Sequence, residues 1–432
     1  MIPPFSRRDF LKLAGAGAAA SAVPGSLGGC ATTSDSGKPV GRVVVVGGGY
    51  GGATAAKYIR MWSAKRIEVV LVEPNPRFVS CPLSNLVLGG SRTIESLTFS
   101  RDGLGNHGVG LIRDEVTVID VEKRRVQLKA GATLPYDRVV VSPGIDFLYD
   151  EIPGLNNEDA QRVFLHAWKA GVQTVALRKQ LEAMPDGGTF ILSIPKAPFR
   201  CPPGPYERAS QVAYYFKQAK PKSKVLVLDA NPELVSKKAL FLAAWKDLYP
   251  GIIDYRPNQE AKDVDARTLT VHTEFESFQG NVVNVIPPQR AGSIAARTKL
   301  ITANNRWCGV NWQSMESVAV AGVHVLGDST LAGPAMPKSA SMANNHAKIA
   351  ASAIIAQLTG NPVNPNPVIS NTCYSWVSAT EAVHINAVYR FDTEKQTMLP
   401  VEGAGGLSAK RSAQEKDYGD DWALNIWADT LT

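Results

Sequence analysis

The sequence predicts an α/β protein with two Rossmann-like dinucleotide-binding domains and a small C-terminal α+β domain. Three observations carry that prediction. Residues 42–52 read as a buried strand of four consecutive valines running into a glycine turn, and a helix and a second strand ending on Glu73 follow. A second strand–helix–strand unit stands at 189–229. A further buried strand, 322–328, ends in Gly-Asp after a return of the chain to the first domain near Val282.

The first unit is the most informative. Gly47, Gly49 and Gly52 fall at the spacing that turns tightly, admits a pyrophosphate and packs the next helix. The helix from about Ala53 would offer free N–H groups and a partial positive charge to the phosphates. Glu73 sits where an acid accepts ribose hydroxyls. Together they predict a dinucleotide site.

With 432 residues the chain has room for two to three domains. Its net charge of +7 is spread over 46 basic and 39 acidic residues without a long basic block, which argues against a nucleic-acid partner. Residues 1–30 read as an export signal: Ser6-Arg7-Arg8-Asp9-Phe10-Leu11-Lys12 resembles the twin-arginine signature and an alanine-rich run follows. A bacterial periplasmic location is expected. Leu27-Gly28-Gly29-Cys30 resembles a lipobox, so either Cys30 carries a lipid anchor, with 31–40 as a linker, or cleavage occurs nearby.

After Glu73, residues 74–90 read as irregular and carry Cys81; strands at 111–120 and 125–129 form a small meander, and strand 136–144 closes the domain at Gly144. A middle domain is expected over 151–281, with a helix at 166–184, strand 189–194, helix 207–219 and strand 224–229. Its turn holds Pro195, Pro198, Pro202, Pro203 and Pro205 in place of a glycine fingerprint. Proline has no N–H for a phosphate, so NAD(P)H binding is expected to be lost. The first domain, 41–150, is expected to resume over 282–360, with a helix from 336–338 to Leu358 that places Lys338 at its start as an expected cofactor contact. Residues 361–432 are expected to form the third domain, with strands over 368–389 and a tail that carries Trp422 and Trp427.

Cys81, Cys201, Cys308 and Cys373 remain after the signal. Arg200-Cys201-Pro-Pro-Gly-Pro-Tyr-Glu-Arg208 and Asn371-Thr372-Cys373-Tyr374-Ser375 resemble the redox-cysteine segments of the flavoprotein subunit of flavocytochrome c sulfide dehydrogenase, a glutathione-reductase-like flavoprotein. The resemblance extends to Cys81-Pro-Leu-Ser-Asn-Leu, Ile286-Pro-Pro-Gln-Arg-Ala-Gly292 and Met336-Pro-Lys-Ser339. It implies that Cys201 and Cys373 form a disulfide beside the flavin, that Cys81 holds FAD through a thioether, and that Asp328 binds the ribityl chain. Tyr374 and Trp422 would lie near the ring. Cys308 would be a buried thiol without a partner. Glu207 is either the base that takes a proton from hydrogen sulfide or an ordinary helix-initiating acid.

The implied activity is oxidation of sulfide by the disulfide, with electrons passing through FAD to a separate c-type cytochrome. This chain has no Cys-x-x-Cys-His haem site of its own. Two alternatives stand beside it: a sulfide:quinone oxidoreductase, which would need an apolar membrane-seating tail where this chain has acidic residues at 415–421, and an accessory flavoprotein that reactivates a sulfur-carrier protein.

Overall fold

A computed structural model of the protein describes residues 39–432. The twin-arginine segment, Cys30 and most of the expected linker lie outside the described residues.

The first sheet is organised around Gly41–Val46, where Val43, Val44 and Val45 are wholly buried. Ile67–Val72 and Arg138–Val141 flank this strand, both parallel to it, in a seven-stranded sheet that also takes in Gly110–Ile112 and Val323–Val325. The valine run therefore sits at the centre of the sheet, where both faces are covered. Helix Tyr50–Trp62 packs between this sheet and helix Ala340–Thr359 through the small residues Gly51, Gly52, Ala53, Ala55 and Ala56. The expected strand over 111–120 divides: Gly110–Ile112 edges the main sheet, and Val116–Asp120 belongs to a separate antiparallel meander.

The middle sheet is parallel, in the order Ile253–Pro257, Lys224–Asp229, Thr189–Ile194, Val282–Val285. The return to the first unit thus comes later than expected, because the buried Val282–Val285 satisfies its backbone against Thr189–Ile194. Helix Val172–Ala183 also begins later than expected; residues 166–171 stay irregular, tied down by a bond from Trp168 N–H to His166 Nδ1 and by Arg208. Helix Ala340–Thr359 begins after Lys338, because Ser339 caps it by accepting from Met342 N–H at 3.0 Å.

The last unit is an antiparallel meander, Val368–Trp376, Ala382–Asp392 and Thr397–Leu407, followed by helix Ala413–Leu431. Ser412 caps this helix by accepting from Glu415 N–H. Its carboxyl end is latched to the first unit: Lys57 Nζ donates to the Ala428 and Asp429 carbonyls, and Asp429 meets Lys348 at 2.8 Å.

Candidate active site

One cavity of about 940 Å³ runs from the first glycine turn to the meander. Gly47, Gly49, Glu73, Cys81 and Gly144 line it from the first unit, Cys201 and Glu207 from the middle one, and Asp328, Cys373, Tyr374 and Trp422 from the rest of the chain. The expected site is therefore gathered in one place. Gly52 and Lys338 do not line it.

The glycine turn is built for close approach. Gly47 has φ of +96°, and a Cβ there would come within 2.4 Å of the Ser142 carbonyl oxygen; at Gly52 a Cβ would strike the Gly47 carbonyl oxygen at 1.8 Å. A Cβ on Gly49 would meet nothing within 4 Å, so that backbone faces open space. Glu73 accepts from Gly48 N–H at 2.7 Å and from Asn75, which holds the acid at the rim of the turn.

Asp328 places one buried carboxylate oxygen in the cavity wall without a partner, and its other oxygen is 3.9 Å from Arg200. Burial raises its affinity for a proton, and Arg200 and Lys338 oppose that. An unpaired buried acceptor beside a glycine cradle fits the hydroxyl-rich chain of a dinucleotide. Lys338 is a strut instead: its amine donates to the Asp328 and Thr330 carbonyls over the Trp307 ring, and its carbonyl accepts from Cys201 N–H at 2.8 Å.

The three cysteines on the cavity have different surroundings. Cys81 is met by Arg200, whose guanidinium lies 2.7 Å from its Sγ and also bonds the Trp168 carbonyl. The residues on either side of Cys81 are pinned as well: Ser80 Oγ donates to the Pro82 carbonyl and accepts from Trp427 Nε1 at 3.0 Å. Cys201 has a left-handed backbone, φ +58°, immediately before helix Gly204–Ala219. A Cβ on Gly204 would come within 2.9 Å of Cys201 Sγ, so only glycine lets that sulfur lie over the helix start.

Cys373 lies on strand Val368–Trp376, with its Sγ 3.5 Å from the Asn371 amide. The expected Cys201–Cys373 bond is absent from the structure, in which both are free cysteines. Burial pushes both thiols up, and that keeps this form neutral. Cys308 is a free, fully buried thiol that does not line the cavity.

Glu207 is buried, with one oxygen accepting from Trp376 N–H at 2.8 Å and the other from Asn85 at 2.7 Å. Burial raises it, against those bonds and the charges of Lys237 and Arg208. The sequence reading passed over Arg200, Lys237 and Arg208, although Arg200 and Arg208 bracket the motif around Cys201. Arg208 joins Asn85, the His166 and Ala167 carbonyls and Asn284 in one buried network.

The middle turn has little left to offer a phosphate. Ala197 N–H is bonded to Asn231, Arg200 N–H to Gln289 and Cys201 N–H to the Lys338 carbonyl. Asp229, at the position of a ribose acceptor, is fully buried and accepts from Tyr206, Tyr255 and Asn231. NADH is therefore expected not to reduce the protein. Rapid bleaching of the flavin by micromolar NADH in a stopped-flow experiment without sulfide would contradict this.

Residues 41–179 match the pyridine nucleotide-disulphide oxidoreductase family. With the glycine cradle and the cysteine-lined cavity, this places the protein in the class of FAD-dependent oxidoreductases. Residues 174–287 match the central region of the sulfide dehydrogenase (flavocytochrome c) flavoprotein chain, and residues 365–431 the flavocytochrome c sulphide dehydrogenase flavin-binding region. A flavocytochrome c sulfide dehydrogenase flavoprotein chain from Chlorobaculum thiosulfatiphilum is 61% identical over 46 residues, which are 94% of that sequence and 11% of this one. The chain belongs to the flavocytochrome c sulfide dehydrogenase flavoprotein family.

The mitochondrial sulfide:quinone oxidoreductase of Dictyostelium discoideum is 23% identical over 84% of this chain and 83% of its own. The sulfide:quinone oxidoreductase of Aquifex aeolicus shares the fold, with a TM-score of 0.72 and 17% identity over 90% of this chain and 91% of its own. Residues 4–24 match the twin-arginine translocation signal, and no helix among the described residues is long and apolar enough to cross a membrane.

Proposed function

We propose that this chain oxidises sulfide in the periplasm at Cys201 and Cys373 and delivers the electrons to a separate c-type cytochrome. The observation that carries this reading is that both cysteines, far apart in sequence, open onto the cavity that holds the glycine cradle. Gly47, Gly49, Glu73 and Asp328 would hold the FAD. When bound, FAD supplies what the side chains lack, taking electrons in pairs and releasing them singly.

The cysteines begin oxidised. Hydrosulfide attacks Cys201 Sγ, a sulfur–sulfur bond forms there, the Cys201–Cys373 bond breaks, and Cys373 leaves as a thiolate with the electron pair. Sulfide sulfur is oxidised and cystine reduced. Glu207, buried on the same cavity wall, would take the proton of hydrogen sulfide. The left-handed backbone at Cys201 is held by bonds on both sides, from its own N–H to the Lys338 carbonyl and from Gly204 N–H to its carbonyl, and this fixes the attacked sulfur.

Steady-state assays on the purified protein test the proposal: sulfide should reduce cytochrome c, and a short-chain quinone should not replace it. Turnover only with quinone would favour the sulfide:quinone reading, and turnover only with an added sulfur-carrier protein the accessory one. The exposed Asp417 and Asp421 on the C-terminal helix do not suit the apolar membrane-seating tail that the sulfide:quinone reading would need.

Cys81 is proposed to hold FAD through a thioether. A guanidinium against its sulfur and a loop pinned on both sides would hold this cysteine in one orientation for such a linkage. Acid precipitation should leave the yellow colour in the pellet, and the peptide containing Cys81 should carry the added mass of the flavin. Colour wholly in the supernatant with an unmodified peptide would rule the linkage out.

A further inference from the structure

Lys237 carries an ammonium group into the interior with no carboxylate to meet it. It is 4% exposed, and its Nζ donates to the Cys373 carbonyl at 2.7 Å and to Ser375 Oγ at 2.8 Å, both neutral acceptors. No Asp or Glu among the described residues comes within ion-pairing distance of it. Cys373 and Ser375 stand two apart on strand Val368–Trp376, so the Cys373 side chain leaves the strand on the face where Lys237 Nζ meets Ser375 Oγ. The charged or titratable groups around the ammonium are Cys373, Glu207, Cys201 and Glu415. Both carboxylates are engaged elsewhere: Glu207 with Trp376 N–H and Asn85, and Glu415 with His384 at 2.6 Å.

A buried ammonium that no carboxylate meets is costly to keep, even with two neutral acceptors. The backbone adds to that cost, since Lys237 is left-handed at φ 52°. A position kept at such expense makes sense when an anion appears beside it during the working cycle, and two of the groups facing this ammonium are the cysteines of the cavity.

We propose that Lys237 is a positioning residue whose buried ammonium is the counter-ion of the thiolate formed at Cys373. This rests on the reading that Cys373 leaves the disulfide as a thiolate. The electron pair of the broken sulfur–sulfur bond stays on Cys373 Sγ, and the neighbouring ammonium offsets the charge as it forms. Burial lowers Lys237 to about 8, with Cys373 and Glu207 opposing, so it is charged at neutral pH and loses that charge above it.

The test is the pH dependence of Cys373 alkylation by iodoacetamide in the reduced holoprotein, read by mass spectrometry of the Cys373 peptide. Lys237→Met should slow labelling at pH 7.5 by about tenfold and move the inflection up by about one pH unit, while Lys237→Arg should stay within about twofold of wild type. If Lys237→Met does not accumulate with a native flavin spectrum, Lys237→Gln, which keeps a donor for both oxygens but no charge, is expected to show the same slowing. An unchanged profile in a folded uncharged variant, or an equal loss in Lys237→Arg, overturns the proposal. Because labelling needs no sulfide turnover, a failure here is distinct from a failure of the sulfide reading, which cytochrome reduction and the cysteine variants decide.

Discussion

Cys373→Ser should lower sulfide-dependent turnover by at least about a thousandfold, and Cys201→Ser should do the same, with FAD still bound in both. Removing the reacting atom of a unit that works together typically costs that much or more. Serine cannot form the sulfur–sulfur bond, yet it nearly preserves size. Cys373 is half-buried in a strand paired with Ala382–Asp392 along its whole length, so the exchange leaves register and packing in place. Cys201 keeps its two backbone bonds, which do not involve the side chain. Turnover would be followed by cytochrome c reduction and folding by the visible flavin spectrum. Near-normal turnover in Cys201→Ser would make the pair a structural crosslink and end the proposed mechanism.

Below pH 6 the protein is expected to lose stability steeply, because histidines are buried in the neutral form. Burial lowers His166 to about 3 and His346 to about 3, with nearby cations adding to the effect. Geometry enforces this: His166 Nδ1 accepts Trp168 N–H at 2.8 Å and His346 Nδ1 accepts Gly327 N–H at 3.2 Å, so protonation would break a bond at each. His324, fully buried, is lowered to about 4 for the same first reason.

Unfolded histidine binds its proton near pH 6.5, whereas the folded groups do not until pH falls to about 3 or 4. Their stabilising share is therefore complete above pH 6.5 and is lost as pH falls. At pH 5 this amounts to about 2 kcal/mol for each of His166 and His346, a large part of a typical total of 5–15 kcal/mol. Glu207, Asp229 and Asp328, raised by burial, act in the opposite sense and offset part of the loss at lower pH. Urea midpoints of the holoprotein should fall between pH 7 and 5, and His346→Gln should flatten that fall by about 1.4 kcal/mol per pH unit. Midpoints that do not move with pH would show that these rings take up protons in the folded protein.

The glycine turn, Glu73 and the proline-filled middle turn were legible in the sequence because each is a local backbone requirement, met within a few residues. The four-valine strand was legible because continuous burial leaves its own composition. The site's polar supports were not. Arg200 meets Cys81 across 119 positions, Lys237 meets Cys373 across 136 and Trp427 meets Ser80 across 347. No periodicity links residues so far apart, and a charged or aromatic side chain has the same letter whether it faces solvent or holds a loop. The contacts of Lys338 were no more legible. Its place beside a helix start suggested a cofactor contact, but the serine after it caps the helix and its own amine turns to two carbonyls.

The latch between the final helix and the first unit also sets an order of events during synthesis. Trp427 helps to pin the loop that carries Cys81, and Ala428 and Asp429 are the carbonyls that Lys57 grips. A chain still on the ribosome has its cradle glycines and Cys81 free long before those residues emerge, so these contacts form only once residues 427–429 are made. Contacts of such sequence separation form slowly. A protein whose Cys81 loop is held by so late a segment suits an export route that accepts folded molecules.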